Sequence, residues 1–119
     1  MPALELARLD LSTAHLRMLR ELLQQHVPEA EVWAYGSRVT GGAQECSDLD
    51  LVLRQPQDLR RPTPGLPELR SALQDSMLPI LVEVHDWAGL PASFRVEIER
   101  AWIVLQQPGE PADVPPGTT

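Results

Sequence analysis

Two aspartates separated by one residue, Asp48 and Asp50, are the side chains whose spacing first suggests chemistry. They lie in the segment 48–54 (DLDLVLR), which has the composition of a β-strand. Alternate side chains of a strand point to the same face, so both carboxylates should share one face, with Leu49 and Leu51 turned into the core. Neighbouring carboxylates repel each other unless a cation lies between them, and Mg²⁺ binds few carboxylates together with phosphate oxygens and water. The pair indicates a metal–nucleotide site, although an Asp-x-Asp pattern alone is more often a solvated strand face.

The dipeptide Gly36-Ser37 follows a predicted strand at 31–35 (EVWAY), at the point where a turn or helix begins. A glycine there lets a phosphate approach the backbone closely, and exposed backbone N–H groups bind anions. Ser37 adds a hydroxyl, and Arg38 adds a planar cation suited to phosphate. We therefore predict that Gly36, Ser37 and Arg38 bind nucleotide. The alternative is an ordinary turn with a capping serine, because an isolated Gly-Ser pair is also common in such turns.

A third acid, Glu83, lies in a predicted strand at 79–86 (PILVEVHD) and is flanked by two valines. It is in phase with His85 and faces away from the valines. A carboxylate within an apolar strand is costly unless it is paired or metal-bound, or the strand lies at a solvated edge. Asp86 is the alternative third acid, but it lies at the strand end and faces the other way.

The elements that must position these side chains alternate between helix and strand. An amphipathic helix at 12–26 has Ser12 or Thr13 as its cap and is ended by Pro28. The other predicted elements are a turn or short helix within 38–47, helices at 66–76 and 91–100, and a strand at 102–105. This order predicts one α/β domain at 1–105 and a disordered Pro/Gly-rich tail at 106–119.

The composition of the chain narrows the range of possible functions and locations. Acidic residues outnumber basic ones by 17 to 10, for a net charge of −7, which argues against a broad nucleic-acid surface but allows a basic partner protein. No apolar stretch approaches the roughly 20 residues that span a bilayer, and no secretory signal is visible. Cys46 is the single cysteine and forms no internal disulfide. We expect a cytoplasmic protein without a membrane partner. We also expect Arg54 to be a solvated charge in a loop.

Gly36-Ser37, ten intervening residues and Asp48-Leu49-Asp50 resemble the G-S-x10-D-x-D signature of the minimal nucleotidyltransferases, in the DNA-polymerase-β-like nucleotidyltransferase superfamily. The surrounding residues, WAYGSRVTGG and SDLDLVL, are similar to the family's strand–GSR–turn–SDxDL block. LVEVHDW and PASFRVEIERAWIVL are similar to its third-acid strand and closing segment. The resemblance covers roughly residues 12 to 105.

The resemblance implies a polymerase-β-like fold, with a mixed sheet backed by helices, and a magnesium-dependent nucleotidyltransferase. Asp48, Asp50 and Glu83 would be catalytic and would bind two Mg²⁺ ions, with ATP as the donor of AMP. Small stand-alone members of the family commonly act as antitoxins and resemble protein adenylyltransferases that modify a tyrosine of a HEPN-type ribonuclease toxin. The resemblance therefore implies such a toxin as the partner. Transfer to a small molecule such as an aminoglycoside, and neutralisation of a toxin by contact without catalysis, are the alternatives.

The chain departs from the family pattern at two positions. The third acid is usually Asp, and here it is Glu83, whose longer side chain still ligates metal but is expected to slow catalysis. The turn often has a second Arg where this chain has Thr40, and the change is expected to weaken the grip on phosphate.

Overall fold

The computed structural model describes residues 3–41 and 48–109. Its strands are β1 (Ala3–Leu4), β2 (Glu31–Tyr35), β3 (Leu49–Arg54), β4 (Val82–Asp86) and β5 (Trp102–Gln106). Its helices are α1 (Thr13–His26), α2 (Ser37–Thr40), α3 (Leu66–Gln74) and α4 (Ala92–Ile98), with 3₁₀ turns at Leu6–Arg8 and Trp87–Gly89. None of the helices in these ranges combines the length and apolarity needed to cross a bilayer. Cys46 and the part of the predicted tail beyond residue 109 lie outside the described residues.

The described strands form one five-stranded sheet in the order β1-β5-β2-β3-β4. β2 runs antiparallel to both β3 and β5, whereas β4 is parallel to β3 and β1 is parallel to β5. The predicted mixed α/β sheet is thereby confirmed. β2, the middle strand, leads into the Gly36-Ser37 turn, and its neighbour β3 carries Asp50. The candidate site is therefore built on strands that are paired on both sides.

One face of the sheet is covered by α1 and α3. Ser12 caps α1 as predicted, since its hydroxyl accepts a hydrogen bond from the His15 amide at 3.2 Å. The apolar stripe of α1 then packs its Leu19 and Leu23, both fully buried, against the sheet. Each such leucine contributes about 1.5–3 kcal/mol of burial free energy. The alternate residues of β3 that face this core are leucines, Leu49, Leu51 and Leu53.

The opposite face carries an aromatic cluster beneath α4. Trp33 stacks on Trp102 with ring centroids 4.3 Å apart and meets Trp87 edge-on at 5.6 Å. The prediction that Arg54 is a solvated loop charge is wrong. Arg54 ends β3, pairs with Glu31 opposite it, and places its guanidinium 4.0 Å from the Trp33 ring centroid. Because planar guanidinium stacks well on indole, this arginine covers the cluster rather than extending into solvent.

Three predicted strand boundaries are wrong. β3 begins at Leu49, one residue later than predicted. β4 begins at Val82 rather than at residue 79, because its pairing with β3 begins where β3 begins, at Leu49 opposite Val82. β5 continues to Gln106, which we had placed in the tail. The Gln106 amide is buried and donates hydrogen bonds to the carbonyl oxygens of Val27 and Ala30 at 2.8 and 3.0 Å, fixing the end of β5 to the loop after α1.

Candidate active site

Three side chains that matter for the site lie in one row across the sheet. Tyr35 pairs in register with Asp50, and Asp50 pairs with Glu83, so the row crosses β2, β3 and β4. Neighbouring strands are about 4.8 Å apart, which places Asp50 beside Glu83 and on the same face. The predicted third acid is therefore next to the predicted metal-binding acid. Glu83 also faces away from Val82 and Val84, which pack in the core on the other face, as the valine pattern predicted.

Asp48 lies one residue before β3 rather than within it, and its side chain is exposed. Its charge nevertheless acts on Asp50. Partial burial raises the pKa of the Asp50 carboxyl above its usual range, and the negative charges of Asp48 and Glu83 raise it further, while His85 opposes them. The three acids therefore form one electrostatic group around Asp50, in which the negative charges are close enough to repel one another.

Gly36 brings the turn formed by Gly36, Ser37 and Arg38, named here the phosphate turn for its predicted ligand, against Asp50. It ends β2 and precedes α2 with φ at +84°, a conformation that side chains rarely adopt. A β-carbon built on Gly36 would come within 2.5 Å of Asp50 Oδ2. Any larger residue would push the carboxylate away, so glycine both suits the backbone conformation and leaves the Asp50 carboxylate in place.

The two other residues predicted to bind nucleotide differ in their surroundings. Ser37 is the first residue of α2 and is half-buried. Arg38 is buried, and its Nη1 donates a hydrogen bond of 2.7 Å to the carbonyl oxygen of Asp10, whose amide donates back to the Arg38 carbonyl at 2.8 Å. Arg38 therefore fixes α2 to the loop before α1, a structural role that the sequence did not reveal. Its contact with phosphate stays a prediction.

Asp86, the alternative third acid, accepts hydrogen bonds from Thr63 in the loop before α3. Its Oδ2 accepts a hydrogen bond from the Thr63 amide at 2.9 Å, and its Oδ1 accepts one from the Thr63 hydroxyl at 3.3 Å. It pairs with Leu53 in the register, three residues along the strand from the row of acids. Asp86 thus holds the loop before α3, and Glu83 is the acid that adjoins Asp50.

An aromatic group beside the acids was missed by the sequence analysis. Phe94 of α4 contacts Tyr35 edge-on, with ring centroids 6.1 Å apart, and lies 5.9 Å from His85. Burial and the charges of Asp50 and Glu83 raise the pKa of Tyr35 well above its ordinary value, so its phenol stays protonated. Phe94 and Ile98 lie four residues apart on α4, but only Ile98 is buried, whereas Phe94 is 39% exposed.

The donor set fits a hard divalent cation. Asp48, Asp50 and Glu83 offer only carboxylate oxygens, which are the ligands that Mg²⁺ prefers. A cation would offset the burial and the repulsion that together raise the pKa of Asp50. Asp48 and Glu83 are exposed and therefore open to an ion arriving with a nucleotide. Across residues 3–41 and 48–109, no three acidic, histidine or cysteine side chains already stand in an arrangement that would enclose an ion.

Comparison with known proteins agrees with this geometry. The family model described as the central palm domain of mitochondrial-like poly(A) RNA polymerase, a polymerase-β-like nucleotidyltransferase domain, matches residues 5–91. The probable protein adenylyltransferase MntA of Haemophilus influenzae is 36% identical over 111 residues, which cover 92% of this chain and 94% of that protein. The chain therefore belongs to the minimal nucleotidyltransferase family of the polymerase-β-like superfamily, and it is a nucleotidyltransferase.

Proposed function

We propose that this nucleotidyltransferase transfers AMP from ATP to a hydroxyl group of a partner protein, with Mg²⁺ as its cofactor. The observation that carries the proposal is the similarity to a relative named as a probable protein adenylyltransferase, which extends over 94% of that relative. The row formed by Asp50 and Glu83, with Gly36 against Asp50, supports it, because it places a phosphate turn beside two neighbouring acids.

In the reaction, the acceptor oxygen forms a bond to the α-phosphorus of ATP. The bond from that phosphorus to the bridging oxygen of the β-phosphate breaks, and pyrophosphate leaves with the electron pair. Glu83 takes the proton of the acceptor hydroxyl, since it is an exposed acid at the open side of the row. Asp48, Asp50 and Glu83 would hold two Mg²⁺ ions, which supply positive charge for the attacking and leaving oxygens.

The turn at Gly36 holds the other end of the substrate. The close approach that Gly36 allows, the backbone amides at the start of α2 and the Ser37 hydroxyl suit the β- and γ-phosphates. Arg38 adds positive charge beneath the turn while it keeps the turn in place through Asp10. These residues orient the leaving pyrophosphate away from Glu83.

The partner we propose is a HEPN-type ribonuclease toxin in the cytoplasm, modified on a tyrosine, so that the chain acts as the antitoxin. The family resemblance is the basis for this partner, and the net charge of −7 suits a basic protein surface.

The test uses ATP labelled on the α-phosphate, the purified chain and the product of the adjacent gene, which the proposal expects to be a HEPN-type protein. The proposal expects label on that protein with α-labelled ATP, none with γ-labelled ATP, and none with the Asp50→Asn variant. Tandem mass spectrometry should then find AMP on a tyrosine. Label confined to a small molecule would contradict a protein acceptor, and toxin neutralisation by both wild type and Asp50→Asn without any label would show a contact antitoxin.

A further inference from the structure

A cavity of about 270 Å³ opens beside the phosphate turn, between the end of β2, the short helix α2 and the helix α4. Gly36 and Thr40 line one side of it, and Phe94 and Ile98 line the other. It begins at Gly36, the residue that touches the Asp50 carboxylate. The cavity is therefore continuous with the place where the phosphates of the donor nucleotide are expected.

The lining of this cavity suits an aromatic base better than a phosphate. Its walls are mostly apolar, and none of Asp48, Asp50 and Glu83 lines it. Its charged lining residues, Glu97 and Arg100, are largely exposed and stand 3.6 Å from each other. Its volume lies just below the roughly 300–1,000 Å³ of whole-ligand pockets, so it suits one part of a nucleotide.

The position of the cavity relative to Asp50 also separates the donor from the acceptor. Tyr35, which lines the cavity, and Glu83 lie on the two strands that flank Asp50. A base on the Tyr35 side leaves the Glu83 side open for the acceptor hydroxyl. A base on the Glu83 side would occupy the space where the acceptor must enter.

We propose that this cavity takes the base of the donor nucleotide, which stacks on the ring of Phe94. The Phe94 side chain is 39% exposed, and its ring centroid lies 6.1 Å from that of Tyr35 and 5.9 Å from that of His85. These contacts fix the ring in place, and its exposed part lies beside the cavity. Stacking of a base on such a ring is a common source of affinity. The proposal rests on nucleotide binding and not on a protein being the acceptor.

The test compares ATP with inorganic tripolyphosphate, which lacks the base, by isothermal titration calorimetry with Mg²⁺. Phe94→Ala should raise the Kd for ATP roughly 5- to 150-fold, which corresponds to about 1–3 kcal/mol of stacking. Tripolyphosphate affinity should stay within about twofold, since the phosphate turn is untouched and base stacking is all that is lost. Phe94→Tyr keeps the ring and should retain the ATP affinity.

Val96→Ala is the matched control, because Val96 is on the same helix, is exposed and does not line the cavity. An ATP affinity unchanged in Phe94→Ala, an equal loss for ATP and tripolyphosphate, or an equal loss in Val96→Ala would each overturn the proposal. The wild type gives a test that does not depend on a variant folding. Light-activated 8-azido-ATP should label the peptide that contains α4, whereas label confined to the β4 peptide would place the base on the acceptor side.

Discussion

The backbone of Gly36 and the carboxylate of Asp50 are in direct contact, so that a β-carbon on Gly36 would stand 2.5 Å from Asp50 Oδ2. This contact joins the phosphate turn at the end of β2 to the central acid on β3. It explains physically why glycine precedes serine in the signature. The turn approaches the acid that we propose as a cation ligand so closely that a side chain at position 36 would displace its carboxylate.

Substituting Gly36 should therefore damage both stability and activity. Gly36→Ala forces alanine to φ +84° and against Asp50, so we expect a loss of about 1–3 kcal/mol in the free energy of unfolding. We also expect transfer to fall on the order of 100-fold or more, because the carboxylate is displaced. Urea denaturation and the rate of AMP transfer measure the two effects.

Two other glycines separate the causes. Gly41 also has a positive φ, +95°, but nothing within 4 Å of its β-carbon position, so Gly41→Ala should lose stability with a smaller effect on transfer. Gly89 has neither constraint, and Gly89→Ala should behave as wild type. If Gly41→Ala lost as much transfer as Gly36→Ala, the contact with Asp50 would not be the reason.

The Ser37 hydroxyl should matter for triphosphate and much less for monophosphate. Ser37→Ala is expected to weaken ATP binding by about 1–3 kcal/mol, the cost of one hydrogen bond to a charged group. AMP binding should change less, because the turn is assigned to the β- and γ-phosphates. Calorimetric titration with both nucleotides is the measurement, and Ser93→Ala on the exposed side of α4 is the control. Equal losses for ATP and AMP would place Ser37 elsewhere.

How far the sequence predicts this site depends on how local each signal is. β2 has the predicted bounds because an apolar run ends at a glycine, and Ser12 caps α1 because its cap hydrogen bond spans three residues. The alternation around Glu83 predicted its face correctly because strand geometry has a period of two. β1 was missed because two residues, Ala3–Leu4, form a strand only through parallel pairing with β5, about 100 residues later.

Contacts between distant segments were beyond the sequence. Arg38 was predicted to bind phosphate because of its charge. Its hydrogen bond to the Asp10 carbonyl oxygen could not be predicted, because Asp10 is 28 residues away in the sequence. Arg54 was assigned to solvent, and only the fold brings Trp33 under its guanidinium. Phe94 stands at the site because the fold brings its ring against Tyr35, which is 59 residues earlier in the chain.

Removing the charge at position 50 should stabilise the protein when metal is absent. The pKa of Asp50 is raised, so the folded state binds a proton more readily than the unfolded state, and stability is lost as pH rises from the unfolded value, 3.8, through the folded one. Asp50→Asn has no carboxyl group to ionise, so its stability does not fall in this way as pH rises. In EDTA at neutral pH, the variant should therefore unfold at a higher temperature than wild type, and the difference should shrink below pH 4.

Magnesium should reverse that order. A ligand present at a hundred times its Kd stabilises a protein by about 2.7 kcal/mol, so Mg²⁺–ATP should raise the unfolding temperature of wild type and not that of Asp50→Asn. Thermal unfolding with EDTA, with Mg²⁺ and with Mg²⁺–ATP measures both effects. An equal response of the two proteins to Mg²⁺–ATP would contradict the assignment of Asp50 as a ligand.

Asp86 should be important for stability alone. Its two hydrogen bonds to Thr63 hold the loop before α3, so Asp86→Asn should lower the free energy of unfolding by about 1–2 kcal/mol. The rate of AMP transfer below the unfolding temperature should remain close to that of wild type. A selective loss of transfer would mean that Asp86, and not Glu83, is the third acid.

The rate of AMP transfer by Glu83→Gln, measured against wild type and Asp86→Asn with α-labelled ATP, tests the central claim most directly. Glu83→Gln keeps the size and polarity of the side chain but removes its charge and its basicity. We expect ATP binding to be largely retained and transfer to fall at least ~100-fold, as is typical when a positioned base is lost. Glu83→Asp, which restores the family's usual acid, should transfer at least as fast as wild type. If Glu83→Gln transferred AMP at the wild-type rate and Asp86→Asn lost transfer instead, the site described by the Asp50–Glu83 register would be contradicted.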